Sequence, residues 1–361
     1  MRFFRSAARG EGRAPPAAAP LPAAAPPSPE TAVGVLYEAL LHRPADPGGL
    51  ATYAGGIARG ECTLRDVAAE MLGSREYRGR TGRMDAFGTP VAIPFMGCTF
   101  HVAEDSEVAG DLRAPGGYEP WVLPRFLDEL RPGMRVLDLG ASWGLFALPA
   151  ARRVGPAGRV FALEVSARNC RVLLRNARAN GFAWLEVLPF GVSDRLGAEL
   201  LPVQTGSHNN TIHDTGTVEG EALDRYEVVP VLPLDALRGP LGRIDVVKMD
   251  VEGMEHRVAQ GGRALFEAER PVVYLEYSPG LLRDVSGVPA AALLRFFLER
   301  GYAVEILHRT APPESLAGLD AETAIARTDA ACERHVREEA GTHLDLCLRP
   351  IGAPAPALNG A

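Results

Sequence analysis

Apolar positions at helical spacing open the readable part of the chain. Val33, Leu36, Tyr37, Leu40 and Leu41 recur every three to four residues and predict one helix face. Asp46 followed by Pro47 predicts an N-cap with a first-turn proline, and Thr63 with Asp66 predicts a capping box ahead of Val67, Met71 and Leu72. Three short helices therefore fill about fifty residues. From Phe87 to Pro124 the pattern loosens: "VAIPFMGCTFHVA" predicts a hairpin and "GGYEPWVLPRFLDEL" a helix leading onward. Beyond Arg131, apolar runs alternate with helical stretches. Strands are expected at "MRVLDLG", "GRVFALE", "WLEVLPFGV", "RIDVVKMD", "PVVYLEY", "YAVEILH" and "HLDLCLRP". Helices are expected at "LFALPAARRVG", where Pro149 predicts a kink, and at "NCRVLLRNARANG", "MEHRVAQGGRALFEA" and "AALLRFFLERG". Strands apolar on both faces and separated by helices predict a parallel sheet covered on both sides, an α/β fold. The last two strands are joined by a long loop-helix segment with no crossover strand, which fits a final strand inserted antiparallel.

Composition bounds the function more than it names it. The 361 residues are 47% hydrophobic and 23% charged, an ordinary globular balance with room for one large core and a small accessory domain. "APPAAAPLPAAAPPSP", Ala14 to Pro29, lacks core-forming side chains and reads as a tether. A net charge of -7 argues against a nucleic-acid partner. The N-terminus carries no signal-peptide run and no segment reaches the length of a membrane span. Five scattered cysteines without a C-x-x-C suggest reduced thiols and a cytoplasmic location. Lys248 is the one lysine among 38 basic residues, and it precedes Asp250 and Glu252 in "VVKMDVEGME".

Candidate chemistry gathers at the strand ends. "VLDLGASWG" closes the first strand on Gly140-x-x-x-Gly144, a turn over which a nucleotide-like ligand is expected. The second strand ends on Glu164, placed to accept hydrogen bonds from a ribose diol. These features suit either NAD or S-adenosylmethionine. Ala141, Ser142 and Trp143 separate the glycines, so no G-x-G occurs, and Asp138 before the turn suits a cationic ligand end; both favour S-adenosylmethionine. Asp194, after the third strand, is a candidate for the adenine amino group or a simple turn former. Asp250 is the first candidate for a base or acceptor contact, with Glu252 and Glu276 in support. Glu252 has a second reading as a first-turn helix acid, and Lys248 is read first as charge balance for the acids. Asp250, Glu252 and Glu276 could also hold magnesium, a reading not favoured because three acids on two strand ends are no ligand code, and no metal is assigned. His208, Asn209, Asn210 and His213 form a polar loop expected to face the acceptor.

From about Gly117 to Pro350 the chain resembles the FkbM family of S-adenosylmethionine-dependent methyltransferases. "MRVLDLGASWGLFAL", "VLPFGVSDRLGAELL", "IDVVKMDVEGMEHRVAQGG" and "RPVVYLEYSP" run in that family's order. The resemblance implies a class I methyltransferase fold, seven strands with the last antiparallel, and O-methylation of a hydroxyl on a saccharide or related natural-product acceptor. It also implies that Tyr118 and Glu119 close over a cofactor held by Gly140, Ala141, Ser142, Gly144, Glu164 and Val165. The preceding stretch resembles a helical domain of unknown function of the LY-x-x-LL-x-R-x-x-D-x-x-GL type, carried by Leu36, Tyr37, Leu40, Leu41, Arg43, Asp46, Gly49 and Leu50. The expected organisation is a tether (1–29), a small all-α module (30–82), a hairpin and leading helix (83–130), a methyltransferase domain (131–351) and a tail (352–361). Two rivals stay open: an NAD-dependent oxidoreductase, and a catalytically silent scaffold acting through the helical module on an unknown protein or glycan partner.

Overall fold

The computed structural model describes residues 28–41, 43–74, 76, 89–202, 226–338 and 342–353. Its first helices, Pro29–Leu41, Pro47–Ala58 and Leu64–Gly73, are made by local chemistry. Asp46 accepts the Gly49 amide at 2.8 Å, and Pro47 occupies a first-turn position that needs no amide. Thr63 and Asp66 cap each other's backbone. Arg43 reaches Glu76 at 2.6 Å and Asp46 at 3.3 Å, and its guanidinium lies 4.9 Å over the Tyr37 ring. A Cβ on Gly49 would fall 2.0 Å from the Tyr37 hydroxyl. The spacing of Tyr37, Arg43, Asp46 and Gly49 is thus explained by mutual contacts among the three helices. Leu36, Leu40 and Met71 join the same buried cluster as Leu188, Val192 and Leu232, so the helices are seated on the larger α/β body.

The expected hairpin follows as β1 (Pro90–Phe95) and β2 (Cys98–Ala103), antiparallel with Phe95 opposite Cys98. A short helix, Glu107–Arg113, which the apolar pattern did not predict, precedes the leading helix Leu123–Glu129. Next come β3 (Arg135–Leu139), β4 (Arg159–Leu163) and β5 (Leu185–Leu188). The run "WLEVLPFGV" is two strands, because Pro189 has no amide for the ladder and the chain leaves the sheet there. β6 (Gly191–Ser193), β7 (Gly197–Pro202) and β8 (Tyr226–Pro233) build a separate three-stranded sheet in the order β6-β8-β7. The chain then returns through β9 (Val246–Met249), β10 (Val272–Tyr277), β11 (Tyr302–Leu307), β12 (Glu314–Ser315) and β13 (Leu344–Pro350).

The main sheet has the order β12-β11-β13-β10-β9-β3-β4-β5. All neighbours from β10 to β5 are parallel, and β13 runs antiparallel between β10 and β11. This is the class I methyltransferase arrangement, with the two-residue β12 as an eighth strand beyond the seven expected. Alternation sends Leu137, Leu139, Val247 and Leu275 into one buried layer and Val136, Val246 and Tyr274 into the other. Asp138 and Lys248 are register partners in the middle of this sheet. Pro149 is the third residue of the helix Ala147–Val154, inside the first turn where no intrahelical amide bond is lost, so no kink is required.

Candidate active site

A cleft opens at the carboxyl ends of β3, β4 and β9, where ligands collect in such sheets. Gly140, at φ +83°, closes β3 against the end of β9: a Cβ there would sit 1.8 Å from the Asp250 carbonyl oxygen. Its glycine character is therefore fixed by the approach of two strand ends, before any ligand is considered. Gly144, at φ +93°, admits the Leu148 and Leu173 side chains, and a Cβ would lie 2.3 and 2.4 Å from them. Between the two, the Ser142 amide donates to Glu164 Oε2 at 2.7 Å, while the Trp143 indole anchors the loop on Asn169 at 2.7 Å. Glu164 also accepts the Ser166 amide at 2.7 Å. Burial raises its carboxyl to about 7, against the lowering effect of these donors.

Tyr118, Gly140, Ser142, Glu164, Val165 and Asp250 all line this cleft, with Leu163, Phe190, Val192 and Met254 forming apolar walls. Ala141 and Gly144 shape the loop without lining it. Asp138 is buried beneath, one carboxylate oxygen without a hydrogen-bond partner, and burial lifts its pKa to about 7. The placement of Asp194 differs from expectation. It is exposed, bonds to the Ser193 hydroxyl at 3.1 Å and stays out of the cleft, because the backbone of Ser193 is pressed against Gly261. The cleft wall nearest to it is instead apolar, formed by Phe190, Gly191 and Val192.

The second half of the site is a group of carboxylates around one cation. Lys248 is 2% exposed, its Nζ 3.1 Å from Asp250 Oδ2 and 4.8 Å from the Phe146 ring centre. Burial alone would lower the ammonium pKa, but Asp250, Glu119, Asp345 and Glu276 outweigh it and hold Lys248 above its ordinary value. These carboxylates favour the ammonium form of Lys248, the arrangement that charge balance would need. Glu119, with one buried oxygen unpartnered, is pushed to about 8 by burial, opposed by Lys248. Glu252 does not open a helix. It stands in the turn at φ +52°, lines the cleft, and is raised to about 7 by burial and then by Asp250. The helix starts at Glu255, which reading the sequence missed: this buried acid accepts the Val251 and Gly253 amides at 3.1 and 3.3 Å and so holds the turn. An acid three residues beyond Glu252 in "DVEGME" was the available signal.

Glu276 belongs to the same group, its pKa raised first by burial and then by Asp250. Its Oε2 lies 3.4 Å from His343 Nδ1, and His343 Nε2 lies 3.9 Å from Asp345 Oδ2. Burial lowers the His343 pKa, with Asp345 opposing. Neither His343 nor Asp345 was foreseen. The antiparallel insertion of β13 sets Asp345 opposite Glu276 and brings both residues to the carboxyl edge. The polar loop with His208, Asn209, Asn210 and His213 lies outside the described residues. Among the described residues no three His, Cys, Asp or Glu side chains form a group able to hold a metal ion. No described helix is long and apolar enough to cross a membrane.

A parallel sheet in this order, with its last strand reversed and a glycine loop and acid at the first two strand ends, defines a class I methyltransferase. Residues 134–304 match the methyltransferase FkbM domain, and residues 24–81 match DUF4214, a domain of unknown function. Residues 134–304 thus carry a methyltransferase FkbM domain, which speaks against the oxidoreductase reading. A short stretch of 36 residues is 56% identical to the ribosomal RNA large subunit methyltransferase E of Oleidesulfovibrio alaskensis, covering 10% of this chain and 17% of that protein. Among solved structures, an FkbM methyltransferase from Methylobacillus flagellatus is 15% identical over 87% of this chain and 58% of that one, with a TM-score of 0.36. An S-adenosylmethionine-dependent O-methyltransferase from Thermotoga maritima is 12% identical over 70% of this chain and 75% of that one, with a TM-score of 0.34. Likenesses this distant leave the fold resting on the strand order.

Proposed function

We propose that the chain is an S-adenosylmethionine-dependent O-methyltransferase acting on a hydroxyl of a saccharide or related natural-product acceptor. The observation that carries this reading is the cleft at the β3, β4 and β9 ends, where the glycine loop, Glu164 and Asp250 meet. The residues present fit the cofactor. Ser142 has a buried hydroxyl without a hydrogen-bond partner, Glu164 keeps lone pairs beyond its amide bonds, and Leu163, Phe190 and Val192 offer an apolar slot for a flat ring. When bound, S-adenosylmethionine supplies a methyl group activated by a sulfonium.

The protein's part is alignment, water exclusion and proton handling. Asp250, paired with Lys248 at 3.1 Å, is the cleft-lining acceptor for a hydroxyl proton, a role worth roughly 10² to 10⁴ in rate. Glu276 and His343 lie close by as partners for other acceptor hydroxyls. Tyr118, stacked edge-on against Phe146, walls the cleft from solvent. Five free cysteines, four of them buried, support a reducing compartment such as the cytoplasm. Calorimetric titration with S-adenosylhomocysteine and with NADH tests the cofactor: saturable binding of the first and none of the second is expected. Transfer of labelled methyl to extracted glycans or their nucleotide-linked precursors, lost in Asp250→Asn, tests the acceptor; binding of NADH alone would overturn the reading.

A further inference from the structure

Beside the carboxylate group a wider groove of about 870 Å³ opens, walled by Pro120 to Asp128, by β11 and the turn after it, and by Arg349. The segment Tyr118–Trp121 separates the two hollows: Tyr118 lines the cleft, Pro120 and Trp121 line the groove. Trp121 donates its indole N–H to Asp345 at 2.7 Å. Arg309 lies 4.6 Å over the Trp121 ring and places Nη2 3.3 Å from His343 Nε2. The groove therefore begins where the carboxylates end.

Its lining is mixed in charge, with Asp128 and Glu305 beside Arg125, Arg309 and Arg349. Arg349 is occupied by Glu129 in a two-pronged pair at 3.0 and 2.7 Å, and Asp128 faces Arg153 at 4.0 Å. Arg125 and Arg309 differ: among the described residues neither has a carboxylate within 4.0 Å, although both line the groove. A guanidinium stays charged at every working pH and presents a planar fork that matches phosphate or carboxylate oxygens. Neither fork is taken up by a carboxylate among the described residues, and both keep donors for an oxyanion, Arg309 beyond its contact with His343.

We propose that the groove seats an oxyanion of the acceptor, a phosphate or a carboxylate, on Arg125 and Arg309, with the Trp121 face beside it. The acceptor's hydroxyl then lies toward Asp250, Glu276 and His343. This rests on the methyltransferase reading above and names its substrate class. The two hollows orient such a molecule end for end, because the carboxylate side repels the anion while the arginine side attracts it. Only one direction of binding brings the hydroxyl to the methyl group.

Calorimetry on the full chain at fixed ionic strength tests this, with sodium pyrophosphate, sodium glucuronate and S-adenosylhomocysteine as separate titrants. Saturable binding of pyrophosphate or glucuronate is expected, weakened at least tenfold in the Arg125→Gln/Arg309→Gln double variant. S-adenosylhomocysteine should bind that variant as it binds the parent, which also vouches for its fold. Preference for pyrophosphate assigns a phosphate-bearing acceptor, and preference for glucuronate a carboxylate-bearing one. Saturation by neither probe, or equal affinity in the double variant, overturns the proposal. An oxyanion that binds in a protein blind to S-adenosylhomocysteine would sink the cofactor reading while leaving the oxyanion site standing.

Discussion

At Gly140 a single added carbon would collide with the Asp250 carbonyl and would also force an L side chain to φ +83°. The backbone conformation alone costs roughly 1–2 kcal/mol for a residue with a Cβ, so Gly140→Ala should lower the melting temperature and abolish S-adenosylhomocysteine binding. A variant that melts and binds like the parent would show that the two strand ends are not in contact. Lys248→Met leaves Asp250 without its cation. Removing one partner of such a pair costs roughly 3–5 kcal/mol when it is buried, and the quarter-exposed Asp250 puts the expected loss at the lower end. Adding Asp250→Asn should restore much of the stability but none of the activity, as chemical denaturation and methyl transfer would record. Acid response follows from Glu164. The native state holds its proton more tightly than an unfolded carboxyl, so this stabilising contribution is complete below the ordinary 4.5 and is lost as pH rises through about 7. Glu252 and Glu255 act in the same direction. Stability should therefore climb between pH 8 and 5 while cofactor affinity falls, since the ionised carboxylate is the better acceptor. Glu164→Gln should flatten the affinity profile; an unchanged slope would remove Glu164 from the ribose contact.

The turn between β9 and its helix shows what an element owes to a residue outside it. Asp250 and Glu252 stand on a backbone that passes through φ +52° and +95°, and Glu255 secures that path through two amides. In Glu255→Ala those amides lose their acceptor, at roughly 1–3 kcal/mol each if they stay buried. Methyl transfer should fall at least tenfold while S-adenosylhomocysteine affinity, set mainly at β3 and β4, changes little; equal loss of both would point to general unfolding. Legibility followed the same line between local and distant causes. The strands of the main sheet, the two-residue β12 apart, were readable because each is a largely apolar run, and Gly140, Glu164 and Asp250 because they stand at the ends of those runs. β7 and β8 were not: "GAELLP" and "YEVVPVLP" are broken by glycine or proline and become strands only by pairing with each other. Asp194 was misplaced because Pro189, five residues earlier, turned the chain onto a different sheet. His343 and Asp345 carried no local mark, since their role comes from the register of a strand some seventy residues beyond β10.

The whole molecule joins a helical cap to a catalytic body through one buried cluster in which Leu36 and Met71 meet residues of β5, β6 and β8. A chain lacking residues 1–82 should expose that apolar area, bind a hydrophobic dye and associate in size-exclusion chromatography. Monomeric behaviour with the parent's melting temperature would show that the helices merely accompany the body. The reversed β13 has a further consequence for the order in which the protein can be made. It fills the gap between β10 and β11, so the centre of that half of the sheet stays open until β13 itself has left the ribosome. Asp345 and His343 arrive with it, and with them the wall between cleft and groove. A nascent chain stalled a few residues short of β13 holds the cofactor loop, the lysine and four of the acids, yet it has neither a closed sheet nor an assembled acceptor side. The pairing of β13 is thus the step on which the proposed acceptor side waits.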